Sequence, residues 1–145
     1  MQVNAHLVEL PALFKSVVKK VTQEWNCKVQ DKLTLSQFRM LYLLHHQGLS
    51  KPNELAEKMI VTPGAITGIA DKLIERGLVA RIRDSEDRRV VHLVITEDGI
   101  RLITSMLEKQ QATIVALFDR LPEEDIAHLK RIFTVLLESM DSEEE

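Results

Sequence analysis

The stretch that decides the fold runs from Val61 to Gly99 and reads VTPGAITGIADKLIERGLVARIRDSEDRRVVHLVITEDG. Thr62 followed by Pro63 opens a helix. A threonine at the N-cap accepts from an early backbone N–H, and a proline at the first helical position forfeits a bond that position does not make. Ile66, Ile69, Ala70, Leu73 and Ile74 recur at helical spacing and predict a buried stripe. Gly64, Thr67, Gly68, Asp71 and Lys72 fall on the opposite side, and Gly77 stops the helix. The period then changes to two. Leu78, Ala80 and Ile82 point one way and Val79, Arg81 and Arg83 the other. Val91, Leu93 and Ile95 repeat the pattern beyond the charged loop Asp84–Arg89, and Thr96 opens another helix. A two-stranded hairpin is marginal alone and has to pack against the helices. A helix running straight into a charge-tipped hairpin is the layout of a winged helix.

Working outward, Ser50 is expected to cap a short helix through Met59, with Leu55 and Ala56 pointing inward. Joined to the next helix by a tight turn, it makes a helix-turn-helix unit. Thr34-Leu-Ser-Gln37 fits a capping box, and the helix it opens is predicted to bury Phe38, Leu41, Tyr42 and His45 and to end near Gly48. Leu7, Leu10, Phe14, Val17, Val21 and Trp25 form one helical stripe near the start of the chain. A long helix is expected from Glu97 to about Asp119, and Pro122 starts a final one that carries Ile126, Leu129, Ile132, Phe133, Leu136, Leu137 and Met140 on one face.

The first and last helices show more apolar surface than one small reading module covers, which points to pairing with a second copy; two-fold pairing also sets half-site spacing. The expected fold class is therefore mainly α with a small β-hairpin wing, a winged helix-turn-helix whose N- and C-terminal helices form a dimerisation layer. One domain spans 1–145, with 34–99 as the DNA-binding part and 1–33 and 100–145 as the helical dimerisation part.

Composition bounds the rest. The 145 residues are 45% hydrophobic and 28% charged, as in a soluble globular domain. No stretch approaches the roughly 20 apolar residues needed to cross a membrane. Leu7 to Leu13 is interrupted by Glu9 and Pro11, so no signal peptide is expected. One cysteine, Cys27, excludes an internal disulfide framework, and the expected compartment is the cytoplasm.

The net charge of −3 is unevenly spread. Residues 1–50 hold six Lys/Arg against three Asp/Glu, 51–101 hold nine of each, and 119–145 hold three against nine. The acidity sits in the C-terminal segment and leaves a mildly basic body, so local charge decides what the protein binds. Enzyme readings fail on inventory: the sequence has no Gly-rich phosphate loop, no Gly-x-Ser-x-Gly elbow and no His-Glu-x-x-His. No enzyme activity and no cofactor are expected. Six aromatic residues, mostly on apolar faces, argue against a single-strand stacking platform.

The small residues Gly64, Ala65, Thr67 and Gly68 would let the 62–76 helix sit deep in a major groove of double-stranded DNA. Thr62 and Thr67 suit phosphate or base edges, and Lys72 suits a phosphate. An interior glycine costs about 1 kcal/mol against alanine, so two on the solvent side suggest close approach by something. At the hairpin tip, Arg88 and Arg89 suit a narrow minor groove, with Asp87 close enough to orient Arg89.

These residues resemble the MarR (multiple-antibiotic-resistance regulator) family of bacterial regulators. The matching segments are Glu54-Leu-Ala56, Val61-Thr-Pro63, Ile66-Thr67, Asp71-Lys-Leu73, Glu75-Arg-Gly-Leu-Val79, Arg83-Asp-Ser-Glu-Asp-Arg-Arg89, Leu93-Val-Ile-Thr96 and Gly99. The resemblance implies a homodimeric repressor of a pseudo-palindromic operator, with intertwined first and last helices. Residues 62–76 would be the recognition helix, with Pro63 at its start, and Asp87, Arg88 and Arg89 the wing. Ser36, Gln37, Lys51 and Asn53 would touch phosphates. Many members carry Arg or Asn where this chain has Gly68, so a direct base contact is missing and specificity rests more on shape and on Thr62 and Thr67.

The resemblance also implies release of DNA by a small phenolic or lipophilic ligand, for which Tyr42, His45 and Arg101 are the candidate contacts. Cys27, beside Lys28, is the candidate redox sensor. His45 and His46 are adjacent and face different sides of their helix, and His6, His92 and His128 are scattered, so no metal site is expected. The alternative reading is a winged-helix protein-interaction adaptor without operator binding. Salt separates the two, because duplex affinity falls steeply as salt rises.

Overall fold

The computed structural model describes residues 3–28 and 33–143. Their elements are α1 (Ala5–Lys28), α2 (Leu35–Gln47), α3 (Pro52–Met59), α4 (Pro63–Glu75), β1 (Val79–Arg83), β2 (Val91–Ile95), α5 (Glu97–Phe118) and α6 (Glu123–Asp141). The chain divides into two compact units. One comprises residues up to Lys28 together with those from Lys109 onward; the other is 29–108.

The 29–108 unit closes around Met40, Leu41 and Leu44 of α2, Leu55, Ala56 and Met59 of α3, Ile66, Ala70 and Leu73 of α4, Leu78, Val79 and Leu93 of the hairpin, and Ile103 of α5. Thr34 caps α2 as its sequence predicts: its hydroxyl accepts from the Gln37 N–H at 3.1 Å, and the Gln37 amide oxygen accepts from the Thr34 N–H at 3.1 Å. The phase of α2 differs from expectation. Gln37, Met40, Leu41 and Leu44 are buried, whereas Tyr42 and His45 are exposed and Phe38 is half-buried. The helix carries apolar side chains on two neighbouring stripes; the fully buried one has no rings, and of the other only Phe38 packs partly against the core. Phe38, Tyr42 and His46 line up along the other, with ring centroids 6.3 and 4.2 Å apart.

Ser50 does not cap α3. It forms a two-way backbone bridge with Leu93, at 3.0 and 2.8 Å, and its hydroxyl donates to the Gly48 carbonyl. Lys51 is the N-cap, Pro52 follows at the first helical position, and the Glu54 carboxylate accepts from the Lys51 N–H. The α3–α4 turn places Ile60 in the left-handed region at φ 55°, and the residue is 89% exposed. For a β-branched residue that conformation costs about 1–2 kcal/mol.

Thr62 caps α4, accepting from the Ala65 N–H at 3.2 Å, and Pro63 is its first residue. The helix ends at Gly77, φ 75°, where the Gly77 and Leu78 N–H groups donate to the Ile74 and Leu73 carbonyls at 2.9 Å each. β1 and β2 pair antiparallel from Val79↔Ile95 to Arg83↔Val91. The expected alternation is overridden here. Leu78 and Val79 are both buried, while Ile82 is 46% exposed. Helices cover both faces at the root of the ribbon, and water wets both faces near its tip.

Thr96 joins the hairpin to α5. Its hydroxyl donates to the Gly77 carbonyl at 2.7 Å and accepts from the Gly99 N–H at 3.1 Å. Gly99 is required by contact: a Cβ there would overlap the Leu78 carbonyl oxygen and the Ile95 side chain.

In the other unit, the Phe118 and Phe133 rings meet edge-on with centroids 6.4 Å apart, and Arg120 lies 3.9 Å from Glu24. Glu123, Glu124 and Asp125 occupy the first turn of α6, where negative charge suits the positive end of the helix. No residue of α6 is buried. Ile132, Phe133, Leu136, Leu137 and Met140 all stand exposed on it. α1 likewise exposes Leu7, Leu10, Leu13, Phe14 and Val17. No helix among the described residues is long and apolar enough to cross a membrane.

Candidate nucleic-acid interface

The outward side of α4 consists of Gly64, Ala65, Thr67, Gly68, Asp71 and Lys72, all exposed. A Cβ added at Gly64 or Gly68 would meet nothing within 4 Å. The protein's own packing therefore does not call for these glycines, and their effect is to let an outside surface approach the helix backbone closely. The Thr67 hydroxyl donates to the Pro63 carbonyl at 3.3 Å. The Thr62 hydroxyl oxygen is committed to the cap, and its proton is left to donate outward. A surface groove lined by Asn53, Ala56, Glu57, Ile60, Val61, Thr62 and Pro63 brings Asn53 of α3 together with the start of α4.

The hairpin tip is built by its own carboxylates. The Asp84 carboxylate accepts from the Glu86 N–H at 2.9 Å, and the Asp84 N–H donates to the Val90 carbonyl at 3.0 Å. That Glu86 hydrogen bond leads in holding the Asp84 carboxyl below its ordinary 3.8; the Asp87 N–H and the charges of His92 and Lys51 add, more than offsetting partial withdrawal from water. The Asp87 carboxylate accepts from both the Arg89 backbone N–H, at 3.0 Å, and the Arg89 Nε–H, at 3.3 Å. The guanidinium is thus aimed while the side chain stays 92% exposed. Where β1 enters the tip, Arg83 donates to the Arg88 carbonyl at 3.4 Å.

The remaining sequence candidates are placed less uniformly. Lys51 and Asn53 are exposed and Ser36 is half-buried. Gln37 is 8% exposed with its amide oxygen tied to the α2 cap, so it has little surface for a phosphate. The Tyr42 ring lies tilted against that of His46, and Arg101 pairs with Asp98; among the described residues no hydrogen bond joins Arg101 to Tyr42 or His45. The side chain of Cys27 lies outside the described residues. No group of three His, Cys, Asp or Glu among the described residues is placed to hold a metal. Sequence reading missed one feature: Arg81 of β1 forms an ion pair with Asp71 of α4. The signal available was an arginine and an acid on the outward sides of consecutive elements.

A capped helix pair joined by a tight turn, followed by a hairpin with an aimed arginine at its tip, defines a winged helix-turn-helix protein. The sequence model of the MarR family matches residues 33–91. An uncharacterised HTH-type transcriptional regulator of Bacillus subtilis, YpoP, is 30% identical over 94% of this chain and 97% of its own length. The chain belongs to the MarR family and is a transcriptional regulator of helix-turn-helix type. The HTH-type transcriptional repressor MdtR of Bacillus subtilis is 28% identical over 94% of this chain and 86% of its own. The solved structure of a MarR family protein from Bacillus stearothermophilus superposes with a TM-score of 0.81 at 27% identity, covering 97% of this chain and 99% of that one.

Proposed function

We propose that the protein is a cytoplasmic, homodimeric repressor that binds a pseudo-palindromic operator and releases it when a small phenolic or lipophilic effector binds. The observation that carries the DNA reading is the exposed face of α4, whose two glycines answer to no contact within the protein. Each α4 enters a major groove. Thr62, Gly64, Ala65, Thr67 and Gly68 approach the bases, with Lys72, Lys51, Asn53, Ser36 and Pro63 along the backbone. Arg88 and Arg89, aimed by Asp87, take the flanking minor grooves. Two copies place their helices about 34 Å apart, one helical turn of DNA. The similarity to MdtR supports the repressor sense.

The unburied face of α6 supports the dimer, since a helix with this many exposed apolar side chains needs a covering surface. The effector contacts remain Tyr42, His45 and Arg101, on the exposed flank of α2 and the first turns of α5. Selection of duplexes from a random pool tests the reading. Enrichment of inverted half-sites about 10 base pairs apart, bound more weakly as salt rises, is the expected result. A pool that yields no enriched duplex overturns it.

A further inference from the structure

Asp71 is out of place on the face that α4 presents. It lies one turn beyond Thr67 and Gly68 and is exposed, so a groove-inserted α4 carries a carboxylate toward the phosphates. Like charges brought together across an interface weaken it. Arg81 answers that charge: its guanidinium donates to the Asp71 carboxylate. The two side chains are 44% and 55% exposed, and a pair so well solvated adds little to folding. Arg81 itself is held in the ladder opposite Leu93. The pair therefore joins the helix to the wing strand across the Gly77 turn.

We propose that Arg81 is a positioning residue for DNA recognition. It cancels the Asp71 charge, so that the helix enters the groove without an uncompensated carboxylate. The proposal rests on the reading that α4 enters the major groove.

The test uses the full chain and duplexes that the native protein enriches from a random pool, with affinity measured against salt. Arg81→Gln is expected to weaken binding about tenfold, the effect of one unscreened charge pair near a surface. Asp71→Asn alone is expected to bind as tightly as the native protein or more tightly. The double variant Arg81→Gln/Asp71→Asn is expected to return to within about threefold of native, the non-additivity of a coupled pair.

A double variant no better than Arg81→Gln overturns the proposal. So does an Asp71→Asn that binds more than about threefold more weakly, which keeps the test decisive even if Arg81→Gln folds poorly. A salt slope shallower by about one unit in Arg81→Gln also overturns it, because Arg81 then neutralises a phosphate directly. Thr67→Ala and Lys72→Ala serve as references. If both leave affinity unchanged, the placement of α4 is wrong and the proposal falls with it. If they weaken binding while the Asp71 and Arg81 variants depart from expectation, the proposal alone falls.

Discussion

The 29–108 unit and helix α6 use similar apolar content to opposite ends. In the former, Met40, Leu41, Leu44, Leu55, Ile66, Leu73 and Ile103 are fully withdrawn from water. In α6, a helix of 19 residues, nothing is buried and Leu137 and Met140 are more than 60% exposed. One region is complete within a single chain. The other has an apolar face that the single chain leaves uncovered, and the proposed second copy supplies the cover.

The largest expected effect breaks the second region and spares the first. Leu137→Glu puts a charge into the proposed subunit contact. Sedimentation should then show a 16.6 kDa species, and DNA affinity should fall at least about tenfold. A variant that keeps both its dimer mass and its affinity would refute the assignment of α6.

Next come two glycines that look alike in sequence. Gly99→Ala should destabilise the 29–108 unit by about 2–3 kcal/mol, as overpacking does, because the added methyl collides with Leu78 and Ile95. Gly68→Ala should instead stabilise by about 1 kcal/mol, the helix-propensity difference, and weaken DNA binding. Thermal melts together with duplex titrations distinguish them; a Gly68→Ala variant with native DNA affinity would remove the reason given for that glycine.

Arg89→Ala follows. It leaves folding unchanged, since the side chain is 92% exposed, and should cost about tenfold in duplex affinity, the scale of one well-placed arginine in a groove. A loss below about threefold would count against the wing assignment.

The smallest effect is acid-dependent. Because the Asp84 carboxyl sits below 3.8 in the folded chain, its contribution is fully present above 3.8 and is lost as pH falls through the lowered value. Carboxyl chemical shifts should show Asp84 titrating below 3.8; a midpoint at or above it would mean the Glu86 hydrogen bond does not hold the turn.

Much of this was legible where the determinants are local. Thr62-Pro63 and Gly77 bound α4, Thr34 and Gln37 form the capping box, and the two-residue spacing of Asp87 and Arg89 predicts their contact. Each depends on residues within one turn of chain. What escaped is non-local. The phase of α2 is decided by which of two apolar stripes meets α3 and α4. Ser50 is captured by Leu93, 43 residues later in the chain. The alternation of β1 fails where helices cover both faces of its root. In the candidate site, the exposed stripe of α4 could be read directly, but the burial of Gln37 and the Asp71–Arg81 pair depend on how elements pack, which periodicity does not encode.

The single hydroxyl of Thr96 has a mechanical consequence. It is shared between the exit of α4, at the Gly77 carbonyl, and the first turn of α5, at the Gly99 N–H, while the Thr96 N–H donates to the Leu78 carbonyl at 3.0 Å. There is no room for even a methyl at Gly99, because the first turn of α5 packs against the Leu78 carbonyl and the Ile95 side chain. α5 runs unbroken from there into the residues of the other unit. Within the 29–108 unit, the Thr96 hydroxyl therefore ties the trailing end of α4 directly to the start of α5.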